Sequence, residues 1–110
     1  MNALTQKTCE ACKVGAPLAT KEEREEYMPL IPEWEILYDD KIEKLTRAFM
    51  FKDFADALAF TNKVGELAES ENHHPDIITR YGNVTVIWYT HKIKGLHVND
   101  FIMAAKTDML

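Results

Sequence analysis

The chain has 110 residues, 46% hydrophobic and 28% charged, which suits one folded domain and excludes a disordered tail. Thirteen basic against eighteen acidic side chains give a net charge of −5. That sign argues against direct nucleic-acid binding and against a polybasic membrane anchor, and the longest apolar run, Phe101 to Ala105, is far below the roughly 20 residues that span a bilayer.

Residues 1–19 read as an N-terminal arm and 20–110 as a single domain. The stretch Met1 to Thr8 lacks the apolar core of a secretory signal, so a cytoplasmic location with reduced thiols is expected. Cys9 and Cys12 form a Cys-x-x-Cys pair without a second pair to complete a zinc knuckle. Val14 to Pro17 reads as a loop rather than the helix that follows a redox dithiol. A structurally minor arm, a zinc ion shared between subunits and a redox role stay open at this point.

Thr20 followed by Glu23 has the form of a capping box, opening a short helix that Pro29 and Pro32 end near Met28. Trp34, Ile36 and Tyr38 alternate on one face of a strand; Asp39-Asp40-Lys41 turns, and Ile42 to Phe51 returns as a second strand. Asp53 caps a long helix whose apolar stripe is Phe54, Ala57, Leu58, Thr61, Val64, Leu67 and Ala68, opposite Asn62, Lys63, Glu66 and Ser70. The helix must stop before His74-Pro75, because the residue before proline is pushed out of helical geometry. Ile77 to Arg80 and Val84 to His91 form a second hairpin around Tyr81-Gly82-Asn83, with Ile87, Tyr89 and His91 on one face. Val98, Phe101, Ile102, Ala105 and Met109 mark a last amphipathic helix, with His97 in its N-cap region. The order α-β-β-α-β-β-α implies an α+β fold, a four-stranded antiparallel sheet with helices packed on one face. The free face and edges of so small a sheet favour self-association.

His73 and His74 lie at an abrupt helix end and His91 at a strand end, positions that can converge on one rim. Imidazoles exchange protons near neutral pH, and Glu69, four residues before His73, could orient one of them. Asp100 falls in the first turn of the last helix, where the dipole favours a carboxylate. Adjacent histidines at a helix end also serve as C-terminal caps, and His91 and Asp100 also read as a surface strand end and a helix-start charge. Two histidines and a carboxylate make a metal-ligand set too, but no spacing here preorganises one, so no metal is expected.

Glu69-Ser70-Glu71-Asn72-His73-His74-Pro75, then Tyr81, Thr90-His91, Gly95-Leu96 and Asp100 together resemble the signature of the pterin-4a-carbinolamine dehydratases. His91 follows His74 by seventeen positions and Asp100 follows His91 by nine, both in the family's register. Ile31-Pro32-Glu33-Trp34 and Phe51-Lys52-Asp53-Phe54 resemble the family as well, and the Cys-x-x-Cys arm resembles that of bacterial members that accompany a phenylalanine hydroxylase. Asn72 stands where animal members have aspartate, and Ile77 where they have an aromatic residue.

The resemblance implies dehydration of 4a-hydroxytetrahydrobiopterin to quinonoid dihydropterin, recycling the pterin of a hydroxylase without metal or redox cofactor. It implies His73, His74 and His91 as catalytic residues, with His74 the general acid/base, His91 assisting from the opposite side and His73 holding the pterin. Glu69, Asn72, Pro75, Tyr89, Thr90 and Asp100 are the implied substrate-binding or orienting residues. A homodimer or homotetramer is expected, with phenylalanine hydroxylase as a candidate partner. The contrasting expectation is an interaction module, since animal members double as dimerisation cofactors of a transcription factor.

Overall fold

The computed structural model describes residues 3–6 and 17–110; Cys9 and Cys12 lie outside the described residues. Thr20 caps α1 (Lys21–Tyr27) through the expected reciprocal pair: its hydroxyl accepts from the Glu23 amide at 3.1 Å, and the Glu23 carboxylate accepts from the Thr20 amide at 2.8 Å. A 3-10 turn, Met28–Leu30, carries Pro29 and leads to β1 (Glu35–Asp39) and β2 (Ile42–Met50). Asp40 and Lys41 join these two strands with φ of 52° and 63°, the left-handed pair that matches the twist of a two-residue hairpin. Then come α2 (Phe54–Glu71), β3 (Asp76–Arg80), β4 (Asn83–Trp88) and α3 (Val98–Thr107).

The strands form one antiparallel sheet in the order β1-β2-β4-β3, with α2 and α3 on one face. Register places Leu45 opposite Trp88, Arg47 opposite Val86 and Phe49 opposite Val84, so these side chains point toward the helices. Leu45, Val84, Val86 and Trp88 are fully buried there beneath Ala57 and Val64 of α2 and Phe101 and Met103 of α3. Each such large side chain contributes about 1.5–3 kcal/mol by leaving water. The expected α+β architecture is the one observed. Among the described residues, no helix is long and apolar enough to cross a membrane.

Three local expectations change. The stripe of α2 is rotated: Ala57, Phe60, Val64 and Ala68 are buried, while Phe54 and Leu58 are exposed. Phe60 is drawn inward by Phe49 and Phe51, whose ring centroids lie 4.6 and 5.2 Å from its own. Strand β4 ends at Trp88 rather than His91. Pro75, next in line beyond the Asp76–Ile87 pair, has no N–H to extend the ladder, and Thr90 pairs instead with Gly95. His91 consequently opens a 3-10 turn, His91–Ile93. Met109 lies beyond α3 and is exposed, whereas the helix itself is buried almost all round. Part of that cover is a 3-10 turn at Ala3–Gln6, whose fully buried Leu4 joins the core, so this piece of the expected arm is packed against the domain.

Candidate active site

The end of α2 decides where two histidines point. Asn72 caps the helix in the left-handed conformation, φ 53° and ψ 41°, and its amide donates to the carbonyls of Ala68 and Glu69. Asparagine tolerates this conformation better than most side chains, which gives Asn72 a structural reason independent of any charge. The His73 amide then reaches back to the Ala68 carbonyl at 3.1 Å. Past this reversal the His73 side chain enters the interior, only 4% exposed, while His74 stays 52% exposed.

His73 lies nearly parallel to Trp88, with ring centroids 5.7 Å apart and planes 9° apart. Its Nε2 meets Oδ1 of Asp100 at 2.7 Å. The other Asp100 oxygen accepts from the Thr90 hydroxyl at 2.7 Å and from the His97 amide at 2.9 Å. An ionised carboxylate only accepts, so against an ionised Asp100 the pairing selects the His73 tautomer with its hydrogen on Nε2. Asp100 also belongs to the box that starts α3, where His97 caps the helix by accepting from the Asn99 amide at 3.0 Å on Nδ1. Thr90 and Asp100, expected among the substrate-binding or orienting residues, are both buried, and neither lines the cavity between the histidines.

His74 and Glu69 pair on the surface, Nε2 to Oε2, with Glu69 78% exposed. Glu69 itself lines a neighbouring shallow groove with Thr61, Gly65 and Ile77, not the cavity between the histidines. Ile77 packs its other side against the core and does not line that cavity. Pro75 joins His74 to β3 and also stays outside the cavity lining. The Thr90–Gly95 bridge, with Thr90 N donating to Gly95 O at 2.8 Å, closes the loop that presents His91. The rings of Tyr89 and His91 meet at 4.3 Å, and the Tyr89 hydroxyl donates to Asp76 at 3.3 Å.

Asn72, His73, His74, His91 and Lys92 surround one cavity of about 220 Å³. The three imidazoles singled out from the sequence thus share a single site. Lys92 was not foreseen, since a lysine after a strand-end histidine carries no signal. Nor was the Trp88 platform, although its inward register was legible from its alternation with Val84 and Val86. Among the described residues, no group of three His, Cys, Asp or Glu side chains is arranged to hold a metal ion.

A family profile described as "Pterin 4 alpha carbinolamine dehydratase" matches residues 17–110. The chain belongs to this family. A relative from Syntrophotalea carbinolica is 59% identical over 110 residues, covering 100% of this chain and 98% of that protein. Another, from Nitrosococcus oceani, is 56% identical over 110 residues, 100% of this chain and 97% of that one. Both carry the name "Putative pterin-4-alpha-carbinolamine dehydratase". A solved structure from Brucella melitensis, titled a transcriptional coactivator/pterin dehydratase, superposes with a TM-score of 0.75 at 32% identity, covering 84% of this chain and 97% of that one. Membership makes the chain an enzyme, a hydro-lyase of the pterin-4a-carbinolamine dehydratase type.

Proposed function

We propose that the enzyme dehydrates 4a-hydroxytetrahydrobiopterin to quinonoid dihydropterin, using His73, His74 and His91. The observation that carries the reading is the convergence of three differently held imidazoles on one small cavity. In the reaction the C4a–oxygen bond breaks as a proton reaches the leaving hydroxyl. The adjacent ring nitrogen gives up its proton and forms the double bond to C4a, and water departs. Both transfers suit imidazole near neutral pH and need no change of oxidation state.

His74 is assigned as general acid/base, paired with Glu69, and His91 assists from the opposite wall. His73, held through Nε2 by Asp100, binds the pterin with the edge that faces the cavity, beside Asn72. The cavity is smaller than the roughly 300–1,000 Å³ of drug-sized pockets, which suits a bicyclic ring with its substituent left in solvent. Recycling the pterin of phenylalanine hydroxylase in the cytoplasm, by a homodimer or homotetramer built on the domain at 20–110, completes the proposal. The exposed Phe54 and Leu58 on α2 and the uncovered sheet face support assembly.

Freshly generated carbinolamine tests the chemistry. Wild-type protein should accelerate its dehydration over buffer, and His74→Ala and His91→Ala should each lower the rate by about 10²–10⁴-fold, the usual worth of general acid–base catalysis. Wild-type protein that gave no acceleration would sink the function, and two fully active variants would sink the residue assignment alone. The coactivator title of the Brucella structure and the same exposed α2 flank favour a second reading, a protein-interaction module. That role does not use the histidines, so partner binding unchanged in both histidine variants, with no wild-type dehydration, would mark it.

A further inference from the structure

Of the histidines around the cavity, His91 has the least support from regular structure. It follows the last paired residue of β4 by three positions, on a 3-10 turn held at its base by the Thr90–Gly95 bridge and by the Lys94 amide on the His91 carbonyl at 3.3 Å. These are backbone contacts. They fix the Cα of His91 and leave the two side-chain torsions of an exposed imidazole to be set by something else.

The Tyr89 ring supplies that contact, its centroid 4.3 Å from that of His91 with the planes at 44°. Tyr89 is restrained in turn by groups on the face of the sheet away from the helices. Its hydroxyl donates to Asp76 Oδ2 at 3.3 Å, and the Lys44 ammonium stands over its ring, 4.6 Å from the centroid. Lys44 is itself tied to Asp39 at 3.1 Å, and only 13% of its side chain is exposed. Asp76 on β3 and Lys44 on β2 thus hold one ring, and Asp39 on β1 holds Lys44. Burial, and after it the charge of Asp76, push the Tyr89 phenol above its ordinary value.

We propose that Tyr89 is a positioning residue, whose ring, braced by Asp76 and Lys44, holds the His91 imidazole in its catalytic orientation. The proposal rests on the reading of His91 as a proton-transfer group. It gives Tyr89 a different place from direct contact with the pterin, and it extends the active site through the sheet to its outer face. A reacting group that wanders by an ångström can lose about 10²-fold in rate, which sets the scale of what the brace contributes.

Three variants test it: Tyr89→Phe keeps the ring, Tyr89→Leu removes it, and Lys44→Met removes the cation above it. Dehydration kinetics are read beside the chemical shifts of the His91 ring protons, which the current of a ring at this distance displaces. Tyr89→Leu should lower kcat by about 10–100-fold with KM nearly unchanged and move the His91 resonances. Tyr89→Phe should restore most of kcat and the wild-type resonances, and Lys44→Met should fall between them. A rise in KM at constant kcat in Tyr89→Leu would make Tyr89 a substrate contact and overturn the proposal. An active wild type with a dead His91→Ala, but with Tyr89→Leu unchanged in rate and resonance, overturns it without touching the function. Inactive wild-type protein would remove the dehydratase reading first, and positioning for that reaction with it.

Discussion

His73 and His74 are neighbours in the chain, each paired with a carboxylate, and their environments are opposite. The His73–Asp100 pair is 4% and 0% exposed, while the His74–Glu69 pair is 52% and 78% exposed. Inside, every Asp100 oxygen is matched to a donor, and the pair is part of the fold. Outside, water screens the pair and the side chains remain free to rearrange. An imidazole and a carboxylate are thus locked in one pair and left mobile in the other, which is the division of labour the proposed reaction asks of His73 and His74, and the difference comes from burial rather than from the groups themselves.

The largest test removes the inner carboxylate. Asp100→Ala leaves His73, Thr90 and the His97 amide without their buried acceptor, and should cost about 3–5 kcal/mol in urea or thermal unfolding. The same truncation at Glu69 should cost less than about 1 kcal/mol. Equal costs at the two sites would erase the contrast.

A smaller effect is expected at the residue that separates the two environments. Asn72→Ala keeps a β-carbon in the left-handed cap but removes the side-chain amide that makes this conformation tolerable, and should destabilise by about 1 kcal/mol. Asn72→Gly, which has no such penalty, should stay near wild type in stability and keep its activity. Loss of activity in the glycine variant would mean that the Asn72 side chain serves the pterin rather than the turn.

The smallest effect belongs to a pair of intermediate exposure, which sharpens the scale. The two terminal guanidinium nitrogens of Arg24, Nη1 and Nη2, donate to Glu43 at 3.0 and 2.8 Å. The hydrogen bonds to Arg24 hold the Glu43 carboxyl below its ordinary value of 4.5, against a smaller opposing effect of burial. A carboxyl lowered in the folded state contributes stability above its unfolded value, and that contribution fades as pH falls through the folded one. Arg24→Ala should therefore lose less than about 1 kcal/mol at neutral pH. The difference from wild type should hold down to about pH 5 and close below it, in denaturation measured across pH.

Local patterns carried the sheet, the helices and the register of the three histidines, because alternation and capping depend on near neighbours. Asp53 and Thr20 announced their helices, and Pro75 announced the end of α2. Side-chain partners distant in sequence were not legible in the same way. Phe60 turned inward because of Phe49 and Phe51 on another element, and this rotated the stripe away from Phe54 and Leu58. The same proline that marked the helix end also shortened β4, an effect visible only once Pro75 is aligned beside Trp88. Asp100 read as an orienting group, but its partners did not, since its bonds to His73 and Thr90 join positions far apart in the sequence.

The double use of Asp100 has a kinetic consequence. One carboxylate both starts α3 and holds His73, so unravelling the first turn of the helix also releases the imidazole. The His97 amide, bonded to the same carboxylate, becomes a reporter of that opening: its hydrogen-exchange rate should follow the unravelling of the turn that frees His73, and a ligand that grips His73 should slow it.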